Sequence, residues 1–128
     1  MEHVFFSDGN QKRISWAIKN NDTTSEQCRD HPDMYLDKVS IEQAKYIALH
    51  AGIFWCVGRF IIKNGDTIRV MLDSKTMYDH LSNNEVVTDP FILSRTDFIK
   101  QLIDQRQLLI KYELIGSADN VASKMLIS

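Results

Sequence analysis

The chain has 128 residues, 44% hydrophobic and 25% charged, with a net charge of −2, enough for one buried core and too little for two, so a single domain over residues 1–128 is expected. Cys28 and Cys56 form neither a spaced framework nor a metal-ligand pair, which excludes a disulfide scaffold and a Cys/His zinc centre and fits a reduced, cytoplasmic setting. The most apolar stretch, Tyr46 to Gly58, has 13 residues free of Lys, Arg, Asp and Glu, short of the ~20 that span a bilayer, so a core helix is expected and no membrane partner. No basic segment followed by an apolar core opens the chain, so export is not indicated.

His3-Val-Phe-Phe-Ser-Asp8-Gly9-Asn10 reads as an apolar strand that ends in an aspartate and turns at a glycine. Lys12 to Lys19 reads as a second strand, antiparallel to the first. The polar stretch Asn20 to Asp33, with Pro32, marks a loop or wide hairpin turn, and Met34 to Val39 a third strand. A helix starts at Ser40, an N-cap with Gln43 completing a capping box. Ile41, Ala44, Ile47, Ala48, Ala51, Phe54, Trp55 and Gly58 recur at helical spacing up to Asn64-Gly65, which predicts about 23 residues and ~34 Å. Gly52 and Gly58 are expected to permit close packing.

Thr67 to Leu72, bounded by Gly65-Asp66, reads as a buried strand that delivers Asp73 into a turn, and Ser74 caps a short helix to Leu81. Asp89-Pro90 is a turn, and Ser94 to Arg106 an amphipathic helix with Lys100 and Asp104 four apart. Leu108 to Ile115 is strand-like and broken by Gly116-Ser117. Ala118 to Ile127 is expected to close the domain as a helix.

Two strands thus end in aspartate, and in open α/β sheets ligands sit beyond the carboxyl ends of the strands. Asp8 and Asp73 are therefore placed for chemistry, and Glu42 lies in the first turn of the helix between them. The order carried by Phe6-Ser7-Asp8-Gly9-Asn10, Glu42-x-Ala44 and Met71-Leu72-Asp73-Ser74 resembles the type 1 ribonuclease H family. The resemblance implies an α/β fold, a ribonuclease H-like mixed five-stranded sheet with helices on both faces. It also implies a metal-dependent endonuclease that cuts the RNA strand of an RNA–DNA hybrid, recognised by its 2′-hydroxyls.

Asp8, Glu42 and Asp73 would then be catalytic and would hold two Mg²⁺ or Mn²⁺ ions, with Asp8 bridging them. Three acids converging without lysine partners are tolerable when divalent ions lie between them. Such ions also soften the objection that an acidic chain is a poor nucleic-acid binder. Asn10, Lys12, Lys38, Ser40, Gln43 and Lys75 are the expected substrate contacts. Lys75 leads because it follows Asp73-Ser74, and Arg13 and Lys45 are also close in sequence.

The chain departs from the family at its end, where a fourth acid is expected on the last helix. Asp119-Asn120-Val121-Ala122-Ser123 puts Ser123 at that position and Asp119 one turn earlier, so either Asp119 or Ser123 is the further metal contact. His3, His31, His50 and His80 have no ligand spacing and are read as structural or surface residues. The rival reading is a weakened or inactive ribonuclease H-like module that binds nucleic acid or a protein partner.

Overall fold

Strands with continuous buried runs need cover on both faces, so they take the inner positions of a sheet and leave an edge to a polar strand. The computed structural model describes residues 1–127. Its elements in chain order are β1 (Glu2–Gly9), β2 (Arg13–Lys19), β3 (Thr24–Asp30), α1 (Ile41–Gly58), β4 (Thr67–Leu72), α2 (Lys75–Asn83), α3 (Pro90–Gln105) and β5 (Leu109–Leu114). Two 3₁₀ segments follow, Ser117–Asp119 and Val121–Leu126. The five strands form one mixed sheet in the order β3-β2-β1-β4-β5. β1 runs antiparallel to β2 and parallel to β4, and β5 is parallel to β4.

The β1–β4 register pairs Phe6 with Met71, so two residues further on it sets Asp8 beside Asp73. Both acids leave the sheet at its carboxyl edge. Cross-strand partners share a face, which puts Phe5, Ser7, Trp16 and Ile18 on the side covered by α1. A Cβ at Gly52 would come within 2.5 Å of Phe5 and 2.9 Å of Trp16, so this glycine does permit the close packing expected of it. Asp8 and Ser15 point the other way. That face is covered by the second 3₁₀ segment, where the Ser15 hydroxyl donates to the Ala122 carbonyl. Among the described residues no helix is long and apolar enough to cross a membrane.

Five expectations are corrected. The third strand is Thr24–Asp30 rather than Met34–Val39. Asn20 folds a tight turn by accepting from the Asp22 and Thr23 N–H groups, so β2 returns at once, and a sheet edge tolerates the polar side chains that had suggested a loop. Residues 34–39 instead form a turn closed by Tyr35, Leu36, Lys38 and Val39 N–H bonds, with Asp37 at φ 58°.

Helix α1 has 18 residues and stops at Gly58. Phe60 takes φ 61°, and the Ile61 and Ile62 N–H groups both return to the Cys56 carbonyl, which buries Ile62 and turns the chain toward β4. A Cβ at Gly58 would meet nothing, so this glycine does not serve the close packing expected of it.

Helix α3 begins at Pro90, because Asp89 accepts from the Phe91 N–H as N-cap and proline suits the first helical position. The C-terminal segment is two 3₁₀ pieces rather than one α-helix. Asn120 interrupts them and caps the second through the Ala122 N–H.

Candidate functional site

Gly9 decides how near helix α1 comes to the end of β1. A Cβ there would lie 2.6 Å from the Ala44 carbonyl oxygen, a backbone atom that cannot yield. The Ser40–Gln43 capping box is formed in both directions, and Gln43 Nε2 also donates to Asp89, which ties the start of α1 to the start of α3. The first two turns of α1 are thereby held over the carboxyl ends of β1 and β4.

What those turns bring to the acids is Lys45. Its ammonium donates to Asp8 Oδ1 and to Asp73 Oδ1, each at 2.8 Å, with side chains 17%, 10% and 6% exposed respectively. Burial works against the charged ammonium. The hydrogen bonds to Asp73 and Asp8 and their negative charges outweigh burial and raise the Lys45 pKa above 10.5. The expectation that the acids converge without a lysine partner is therefore corrected.

Other groups of the chain also donate to these carboxylates. Asp8 Oδ1 also accepts from the Gly9 N–H at 2.8 Å, and Asp8 Oδ2 accepts from the Ser123 hydroxyl. Asp73 Oδ2 accepts from Asn120 Nδ2 at 3.1 Å, and the same amide group donates to the Ser7 carbonyl at 3.0 Å. Every carboxylate oxygen of the pair thus has a donor from the chain itself. Asn120 is 1% exposed and holds Asp73, β1 and the last segment together. Sequence reading named its neighbours and passed over it; its place as the N-cap of the Val121–Leu126 segment was the available signal.

Glu42 stands one helical turn before Lys45 and accepts from the Ser74 hydroxyl at 2.8 Å. Ser74 also accepts from the Met77 N–H and so caps α2, as expected. Glu42 is thus joined to the residue after Asp73 rather than to the Asp8–Asp73 pair. Among the described residues, no three His, Cys, Asp or Glu side chains converge as metal ligands. Two carboxylates closed on an ammonium are a poor donor set for divalent ions, which need several free oxygens at ~2.0–2.6 Å.

The other expected contacts spread around this edge. Asn10 accepts from the Lys12 and Arg13 N–H groups and shapes the β1–β2 turn, while Lys12 pairs with Asp37 at the surface. Lys75 pairs with Asp79 four residues on, an exposed helix pair. Lys38 and Ser40 are exposed beside the start of α1. Ser123 reaches Asp8, whereas Asp119 is exposed in the first 3₁₀ segment. His3 and His31 are buried; His80 accepts or donates a 2.8 Å bond with the Tyr46 hydroxyl, and His50 stacks on Phe98.

No family model and no curated protein matches the sequence. Solved structures do match the fold. The N-terminal ribonuclease H domain of a Mycobacterium tuberculosis protein is 20% identical over 97% of this chain and 95% of its own, with a TM-score of 0.79. Ribonuclease H1 of the halophilic archaeon Halobacterium salinarum is 15% identical over 98% and 96%, with a TM-score of 0.74. LC11 ribonuclease H1, isolated from compost and solved in complex with an RNA/DNA hybrid, is 14% identical over 96% and 91%, with a TM-score of 0.67.

Proposed function

We propose that this ribonuclease H-like domain binds an RNA–DNA hybrid across the carboxyl edge of β1 and β4 without cutting it unaided. One observation carries the reading: Lys45 closes Asp8 and Asp73 into an ion triad, and other groups of the chain occupy the oxygens that would ligate metal. One ammonium also leaves the pair with a single net negative charge, so the edge is less repulsive to phosphates than two free acids would be. Lys12, Lys38 and Lys75 are the cations nearest in sequence to meet a backbone, as point charges that position a duplex without reading its bases. The hybrid-bound LC11 enzyme, which shares the fold, supports the choice of ligand.

A second reading has its own support. Asp8 and Asp73 meet at one edge, and Ser74 links Glu42 to the Asp73 turn. In the metal-dependent endoribonuclease implied by the family resemblance, the three acids would hold the two Mg²⁺ or Mn²⁺ ions, which activate a water and stabilise the leaving oxygen. Lys45 would first have to leave the acids.

Labelled RNA–DNA hybrid, double-stranded RNA and duplex DNA, each with Mg²⁺, Mn²⁺ or EDTA, separate the two. Retention of intact hybrid under all three conditions is the expected result. Hybrid cleavage that needs metal and disappears in Asp8→Asn would establish the endoribonuclease instead.

A further inference from the structure

Lys45 is placed where a bridging ion would stand. Its Nζ lies 2.8 Å from one oxygen of each aspartate, across the gap between adjacent strand ends. A divalent ion touching both acids needs that same volume, and close by it would face the ammonium's charge. The Gly9 N–H, the Ser123 hydroxyl and the Asn120 amide hold the acids in the geometry that suits the lysine. The start of α1 is anchored on both sides, by the Ala44–Gly9 approach and by the Gln43–Asp89 bond, so Lys45 cannot be displaced by moving the helix alone.

We infer that Lys45 is the resident cation of this edge, taking the place of a divalent ion so that the site is closed to metal and complete without it. The inference deepens the proposed function and depends on it only for the hybrid. Metal binding by the protein alone is tested independently.

The experiment follows Mn²⁺ by thermal melting and by electron paramagnetic resonance of the free ion, using the full chain as wild type, Lys45→Glu and Lys45→Gln. Wild type should melt within about 1 °C of the same temperature in EDTA and in millimolar Mn²⁺. Lys45→Glu supplies a third carboxylate in place of the ammonium. Its melting temperature should rise by about 5–10 °C at a hundredfold excess of Mn²⁺ over its Kd. Adding Asp8→Asn to Lys45→Glu should cancel that rise.

Should Lys45→Glu fail to fold, Lys45→Gln keeps a hydrogen-bonding side chain without the charge, and it should deplete free Mn²⁺ where wild type does not. Mn²⁺ binding by wild type within threefold of either variant overturns the inference, as does a variant that folds and binds no more Mn²⁺ than wild type. Hybrid retention is then measured in EDTA and in Mn²⁺. Failure to retain hybrid, with the metal results as expected, sinks the proposed function and leaves the role of Lys45 standing.

Discussion

β1 and β4 carry an acid–cation cluster at each end, and the two ends are closed by different means. At the amino end, Asp66 accepts from the Lys63 N–H at 2.9 Å and pairs with Nε2 of His3, a fully buried side chain, at 2.8 Å. The donors there are a loop backbone and a ring fixed in the core, joined by the Met1 ammonium at 3.3 Å, so the cluster is part of the packing. At the carboxyl end, Asp8 and Asp73 are closed by a lysine on a long stem and by a serine and an asparagine from the last segment. The same strands thus present an acid held by backbone and core at one end and a pair held by side chains at the other, and only that pair sits where ligands meet an open sheet.

The largest expected effect is at the amino end. Asp66→Asn leaves His3, the Lys63 N–H and the Met1 ammonium without their charged acceptor, and it should cost about 3 kcal/mol in chemical denaturation without affecting the proposed hybrid binding at the other end. A loss below 1 kcal/mol would mean that the two ends do not differ as described.

The two ends should also titrate on opposite sides of neutrality. Burial would raise the Asp66 pKa, but the Lys63 N–H and His3 bonds, with the bond and charge of the Met1 ammonium, outweigh it and the pKa falls below 3.8. Its contribution is therefore in place above 3.8 and is lost as pH falls through the lowered value, so wild type and Asp66→Asn should converge in acid. Lys45, with its raised pKa, behaves conversely: its contribution is complete below 10.5 and fades only as pH rises beyond that value. The stability difference between wild type and Lys45→Gln should hold constant through neutrality and shrink in alkali. A difference that already changes across neutrality would place the dominant partner of Lys45 elsewhere, because an ammonium paired with aspartates loses its partner only in acid and its own charge only in alkali.

Gly9→Ala is next in size. Its Cβ would strike the Ala44 carbonyl oxygen, so α1 must lift from β1 and take Lys45 with it, at about 2 kcal/mol. Hybrid binding should weaken in the folded variant, and unchanged binding would show that the α1–β1 approach does not set the site.

Asn120→Ala strips the lock from Asp73 and leaves the buried Ser7 carbonyl short of a donor, a loss of about 1–2 kcal/mol by denaturation. Ser123→Ala should be the mildest, at about 0.5–1 kcal/mol, because Lys45 and the Gly9 N–H still hold the other oxygen of Asp8. If Ser123→Ala costs more than Asn120→Ala, then Asp8 rather than Asp73 is the acid that the last segment exists to hold.

Features that depend on a few adjacent residues were legible in the sequence. Apolar runs ending in Asp8 and Asp73 are strands ending at one edge, Ser40 and Ser74 cap helices, and the order of elements led to a mixed sheet with helices on both faces. Each is set by alternation, turn chemistry or a cap reaching no further than three residues. The expectations that failed were those in which a distant partner overrides composition. β3 is polar and still a strand because β2 offers it an edge, and α1 stops at Gly58 because burying Ile62 outweighs extending the helix. The meeting of Lys45 with Asp8 and Asp73, 37 and 28 residues away, is of the same kind. It depends on how α1 is rotated and how closely Gly9 lets it approach, and no local pattern encodes either. Sequence alone determined that acids stand at this edge. Tertiary packing decided which cation answers them, because a long side chain pairs with whatever charge the fold carries within its reach.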